Sequence, residues 1–184
     1  VNPSRGLGDV YKRQGYDGWT SPPSTQGYLT LSTLKGFEII NNKDDYLHTL
    51  IESYRIFASD RDNITFDYQG NDQNFLGTDD AYIREKASLF DKQAAGKYNF
   101  PNPHGGGTAY MNAVDENGLG ISLIQSNFYG IGSRIGVGNY GFFLHNRGCG
   151  FNLIKGHPNS LGPHKKPLHT LSPTIWSKDG SLDF

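Results

Sequence analysis

Three consecutive glycines, Gly105, Gly106 and Gly107, run directly into Thr108. A threonine hydroxyl can attack the carbonyl carbon of the residue before it, and hydrolysis of the resulting ester frees the threonine α-amine. That amine, with an ordinary pKa of about 7.7–8.0, is then a base beside the hydroxyl it activates. The chemistry needs a backbone that can bend the preceding carbonyl into reach, which glycine tolerates best. It also needs a rigid element to carry the nucleophile, and Thr108 to Val114 reads as a strand. Each condition is common alone, so a plain glycine-rich loop is the competing reading.

Other reactive groups are weaker. Cys149 beside Gly150 with a histidine partner would be a different hydrolase, and a small buried thiol is the commoner outcome. His157, His164 and His169 share one loop region at spacings that fit no common ligand pattern, so no metal is expected. Gly130-Ile131-Gly132-Ser133-Arg134-Ile135-Gly136 is not followed by the helix a dinucleotide loop requires. No Gly-Lys precedes Thr108, which removes a phosphate loop. No cofactor is implied.

The elements that would position Thr108 follow from periodicity. Tyr28, Leu31, Leu34 and Phe37 mark one helix. Asp44 and Asp45 suit a helix start, and Leu47, Leu50, Ile51, Tyr54 and Phe57 recur at three- and four-residue spacing along the next. Thr78 is placed to cap a third helix over Asp79 to Ala95, with Tyr82, Ala87 and Phe90 as apolar markers. Beyond Gly96 the pattern turns strand-like. Thr108 to Val114 and Gly120 to Ser126 flank a Glu116-Asn117-Gly118 turn. Phe142 to Leu144 and Leu171 to Trp176 are further strands, the last entering a Lys178-Asp179-Gly180 turn. Helices first and strands second predict an α+β fold.

The bulk properties narrow the partners. In 184 residues the net charge is −1, with Lys and Arg scattered, so there is no footprint for nucleic acid or an anionic membrane. No apolar run is long enough to span a bilayer. One cysteine excludes an intrachain disulfide and does not point to a compartment.

Several segments, in order, resemble the γ-glutamyltransferase family of glutathione hydrolase proenzymes. Gly107-Thr108-Ala109-Tyr110, Val114-Asp115-Glu116-Asn117-Gly118 and Ser122-Leu123-Ile124-Gln125-Ser126 are similar to the start of its small subunit. Pro22-Pro23-Ser24-Thr25-Gln26-Gly27 resembles an element near the end of its large subunit. His48-x-x-Ile51-Glu52 with Asp60-Arg61-Asp62 resembles its His-x-x-x-Glu helix, and Leu171-Ser172-Pro173-Thr174 its Ser-Pro-Thr strand. The resemblance implies a four-layer αββα N-terminal-nucleophile sandwich, here incomplete, and a precursor cut between Gly107 and Thr108 into large and small subunits. Thr108 would be the nucleophile, with a small-molecule amide or γ-glutamyl compound as substrate. Ser126 falls where the family has a second hydroxyl, and it is equally readable as a strand-end serine. The alternative is a non-catalytic α+β domain whose Gly107–Thr108 bond is never cut.

The departures from the family are informative. His145-Asn146-Arg147-Gly148-Cys149-Gly150-Phe151 stands where glutathione-cleaving members have Asn-Asn-Gln-Met-Asp-Asp-Phe. The acid for the substrate ammonium is thus replaced by Gly150, and Arg147 brings the opposite charge. His169 and Thr170 replace paired serines that hold a carboxylate. The Asn-Arg-Gly pattern is similar to an acylase-like branch, with Asn146, Arg147, His169 and Thr170 as its substrate-binding positions. Residues 1–14 contain a run, Ser4 to Gln14, that resembles a translated sequencing adaptor, so the gene product is expected to begin near Gly15. Residues 15–107 would then be the C-terminal part of a large subunit and 108–184 the N-terminal part of a small one. Both ends read as cut, and the fragment alone is expected to be inactive.

Overall fold

The computed structural model describes residues 10–13, 15–69, 75–99 and 107–183. Gly105 and Gly106 lie outside the described residues. The order is β1 (Val10–Arg13), β2 (Tyr16–Thr20), α1 (Tyr28–Ile40), α2 (Tyr46–Ala58), α3 (Arg61–Ile64), α4 (Asp80–Ala87), β3 (Thr108–Val114), β4 (Gly120–Ser126), β5 (Thr174–Lys178) and β6 (Ser181–Asp183). Helices on one side and antiparallel strands on the other make an α+β fold.

α1 and α2 pack closely because small residues line their contact. A Cβ at Gly36 would stand 2.5 Å from the Phe57 ring, so only glycine lets that ring lie against α1. Asp45 caps α2 by accepting from the His48 amide at 2.9 Å. The buried face of α2 is Thr49, Glu52, Ser53, Ile56 and Phe57. Thr49 and Ser53 satisfy their hydroxyls on the carbonyls four residues back, at 2.6 and 2.7 Å. This corrects the expected packing: of the predicted apolar stripe only Phe57 is buried, while Leu47, Leu50, Ile51 and Tyr54 face outward. Close helix approach selected the small-residue stripe over the greasier one. Tyr28, Leu29, Phe57, Ala58, Ile64, Phe75 and Ile83 form the core.

α4 is shorter than expected. Asp79, not Thr78, is its cap, accepting from the Tyr82 amide at 3.0 Å. The helix stops at Ala87, where Ser88 turns its hydroxyl onto the Glu85 carbonyl at 2.6 Å and the next amides bond three residues back.

The strands form two groups. One sheet has the order β1-β2-β5-β6, all antiparallel. β1 runs antiparallel to β2, with Val10 opposite Trp19 and Arg13 opposite Tyr16. β2 meets β5 across most of the chain, with the Thr20 hydroxyl on the Pro173 carbonyl at 2.9 Å and Gly18 leaving room for the Trp176 ring. The predicted strand from Leu171 begins only at Thr174, because Leu171 to Pro173 lie outside the ladder. Phe142 to Leu144 is reduced to a single bridge between Gly136 and Phe143. The other group is the β3–β4 ribbon.

Candidate active site

The β3–β4 turn determines what faces Thr108. Asp115 Oδ1 accepts from the amides of Asn117 and Leu119 at 2.9 and 2.8 Å, and Gly118 takes a left-handed φ of 80°. That turn sets the register Thr108↔Ser126, pairing the first residue of β3 with the last of β4. A one-residue slip would turn one of the two hydroxyls to the other face. Thr108 Oγ1 donates to Ser126 Oγ at 3.1 Å. Ser126 Oγ also accepts from the Phe128 amide at 3.0 Å. With both acceptor positions used, the Ser126 proton is left for a third group. Gly107 is exposed, and among the described residues no atom outside its chain neighbours lies within 4 Å of where its Cβ would be.

Beyond Ser126 the chain reverses through Phe128, whose φ of 77° is unusual for a bulky residue, and Gly130 and Gly132 share the left-handed region. Asn146 holds this reversal. Its Nδ2 donates to the carbonyls of Tyr129 and Gly132 at 3.2 and 3.0 Å, and its Oδ1 accepts from the Tyr129 amide at 2.9 Å. The side chain is fully engaged with the loop.

Arg147 lies beside the backbone of Ser126. It is 4 % exposed, its Cζ sits 4.9 Å from the Phe128 ring centroid, and Nη2 reaches the Ser126 carbonyl at 3.5 Å. Nη1 is buried without a hydrogen-bond partner among the described residues. Burial pulls its pKa below the usual guanidinium range. A buried cation without a carboxylate is costly.

His169 is half-buried near Arg147, and its pKa is lowered from 6.5, first by burial and further by the charges of Arg147, His145 and Lys166. Its Nδ1 lies 2.7 Å from the Pro167 carbonyl and 3.4 Å from Ser24 Oγ. A carbonyl only accepts, so Nδ1 carries the proton. Thr170 is exposed, and its carbonyl accepts from Gln26 Nε2 at 3.4 Å. Hydrogen bonds and packing therefore join Thr108, Ser126 and Arg147, with Asn146 holding the adjoining loop, while His169 and Thr170 are bonded instead to Ser24, Pro167 and Gln26. Phe128 was missed by sequence reasoning, since nothing local marks it, while Ser24 lay in the Pro-Pro-Ser element with no role assigned to it.

At Gly150 a Cβ would fall 2.8 Å from the Leu168 carbonyl oxygen. Gly150→Asp is therefore expected to destabilise the protein by about 1–3 kcal/mol and to give no γ-glutamyl turnover. Thermal unfolding and a γ-glutamyl anilide assay check this; a stable variant that gains that activity would show that the backbone makes room.

Among the described residues no group of three or more His, Cys, Asp or Glu could hold a metal ion, and no helix is long and apolar enough to cross a membrane. Residues 8–184 match the family model described as gamma-glutamyltranspeptidase. The glutathione hydrolase-like YwrD proenzyme of Bacillus subtilis is 32% identical over 91% of this chain and 33% of its own length. The oxamate amidohydrolase proenzyme of Klebsiella pneumoniae is 31% identical over 84% of this chain and 30% of its own. The crystal structure of cephalosporin acylase from Bacillus halodurans superposes with a TM-score of 0.77 at 27% identity, over 95% of this chain and 32% of that one. The chain thus spans about a third of the length of the curated relatives it matches.

Proposed function

The chain belongs to the gamma-glutamyltranspeptidase family, and we propose that it carries the nucleophile of a self-processing amidohydrolase or acyltransferase, with Thr108 in that role. The Thr108–Ser126 hydroxyl pair at the head of β3, directly after the unobstructed Gly107, carries this reading. In self-cleavage Thr108 Oγ1 bonds to the Gly107 carbonyl carbon as the Gly107–Thr108 C–N bond breaks. The hydroxyl proton passes to the departing nitrogen, which becomes the Thr108 amine. Water then hydrolyses the ester, leaving a Gly107 carboxylate and restoring the hydroxyl. In turnover the same hydroxyl attacks the substrate amide, and the amine relays its proton to the leaving nitrogen. Water or a second amine then takes the acyl group. Ser126 orients the attacking oxygen through its 3.1 Å bond.

The acyl group is of the kind that presents a carboxylate or carbonyl to Arg147, not an ammonium. The buried guanidinium, whose Nη1 has no hydrogen-bond partner among the described residues, and the blocked Gly150 position support this. So does the relative named for oxamate, an amide with an adjoining carboxylate. Asn146 acts by holding the loop that seats Arg147. Intact mass of the whole gene product tests the class: two pieces are expected, the smaller beginning at Thr108. One uncut chain from folded protein would favour a binding domain that never cleaves.

A further inference from the structure

Two stretches that stand out in the sequence, residues 22–27 and Asp60-Arg61-Asp62, have no part in the chemistry above. The fold brings them together. Arg61 Nη1 donates to Gln26 Oε1 at 3.1 Å, while Arg61 Nε donates to Asp62 Oδ1 at 2.8 Å. A guanidinium only donates, so the oxygen of the Gln26 side chain must face it and the amide nitrogen must face the other way. That nitrogen donates to the Thr170 carbonyl at 3.4 Å. The main chain adds to the grip. The Gln26 backbone amide is shared between the carbonyls of His169 and Leu171 at 3.0 and 3.2 Å, and the Ser24 carbonyl accepts from the His169 amide at 2.7 Å. Residues 169–171 are thus held by their backbone, while the exposed Thr170 keeps its hydroxyl without a hydrogen-bond partner among the described residues.

The same segment starts from the turn that carries Arg147. Pro167 and Leu168 lie against Gly150 at the end of that turn, so closely that a Cβ on Gly150 would stand 2.8 Å from the Leu168 carbonyl oxygen. The charge of Arg147 is felt at His169, the residue before Thr170. We propose that Gln26, with its side-chain amide oriented by Arg61, is a positioning residue for the acyl donor, setting the Thr170 main chain so that its hydroxyl joins Arg147 at the acyl carboxylate. This rests on the reading of Arg147 as the partner of that carboxylate. Gln26 and Arg61 precede Thr108 in the chain and Thr170 follows it, so the grip crosses the proposed cut. Substrate fit in one piece then depends on residues of the other.

The test measures kcat and KM of the whole gene product, fully cleaved, with a glutaryl amide and with a butyryl amide that lacks the carboxylate. Gln26→Glu keeps the acceptor for Arg61 and both backbone bonds but replaces the donor facing Thr170 with an acceptor. Its glutaryl KM is expected to rise about three- to tenfold, the scale of one hydrogen bond. Its kcat and both butyryl constants should stay within about twofold of the parent, as loss of uniform binding requires. Arg61→Met lets the Gln26 amide turn over and should shift the glutaryl KM in the same direction. Thr170→Val removes the hydroxyl from an exposed residue without touching the core, and is expected to match Gln26→Glu. Added to Gln26→Glu, it should change KM by less than about twofold, because both act on one contact. An unchanged glutaryl KM in Gln26→Glu and Thr170→Val overturns the proposal and leaves Thr108 and Arg147 standing. So does a kcat that falls alike for both donors, or a failure of the Gln26 and Arg61 variants to cleave, since either marks a pair that serves only the fold. A parent enzyme that does not prefer the glutaryl amide removes the carboxylate reading of Arg147, and the proposal falls with it.

Discussion

Thr108→Ala is expected to leave the precursor as one uncut chain and to reduce amide turnover by about 10⁴–10⁶-fold, the scale seen when a hydrolase loses its nucleophile. The loss is double, because this residue would supply the attacking oxygen and, once freed, the basic amine. Ser126 cannot substitute, since its hydroxyl sits at the end of β4, holds the Phe128 amide and would free no α-amine beside it. Thr108→Ser keeps the hydroxyl and should cut slowly and retain part of the turnover. In the cleaved parent protein, kcat/KM should rise with pH as the amine loses its proton, through the region of about 7.7–8.0 expected of an unperturbed α-amine. Intact mass and an anilide assay check both variants. An alanine variant still cut between Gly107 and Thr108 would remove the residue from the role.

Arg147→Met should divide substrates by charge. For acyl donors ending in a carboxylate, such as glutaryl or oxamic amides, kcat/KM is expected to fall about 10²–10³-fold, the consequence of removing one partner of a desolvated ion pair. For a butyryl amide of similar length it should stay within about threefold. Methionine keeps an apolar stem against Phe128, so packing is largely preserved. A uniform fall across both donors would give a different answer. Arg147 would then act by holding the Ser126 carbonyl and the Phe128 reversal, and specificity would lie elsewhere.

What could be read from the residues depended on how local its cause was. The β3–β4 hairpin was legible in full, because Asp115 and Gly118 carry the turn chemistry and the turn alone sets the register. The position of Ser126 opposite Thr108 follows from it. Helix α2 was legible as a helix but not in its orientation. Periodicity reports an apolar stripe, not which neighbour comes close enough to cover one, and Gly36 with Ser53 drew the polar stripe inward. β2 went unread because its partner is β5, far along the chain. The end of α4 depended on a serine turning back on its own helix. At the site, Arg147 was legible as a charge out of place, whereas the engagement of Asn146 and the tautomer of His169 needed coordinates.

The β2–β5 pairing joins residues on opposite sides of the proposed cut. So do the Thr20 bond to Pro173 and the bonds that His169 and Leu171 make with Ser24 and Gln26. While the chain is whole, these are intramolecular contacts, and their formation is first order. Once the bond after Gly107 is severed, the same hydrogen bonds hold two polypeptides in one sheet. Separating the pieces then means tearing a ladder, and refolding becomes second order, dependent on how much of each piece is present. Self-cleavage would leave an assembly that looks unchanged but can no longer regain its shape independently of dilution.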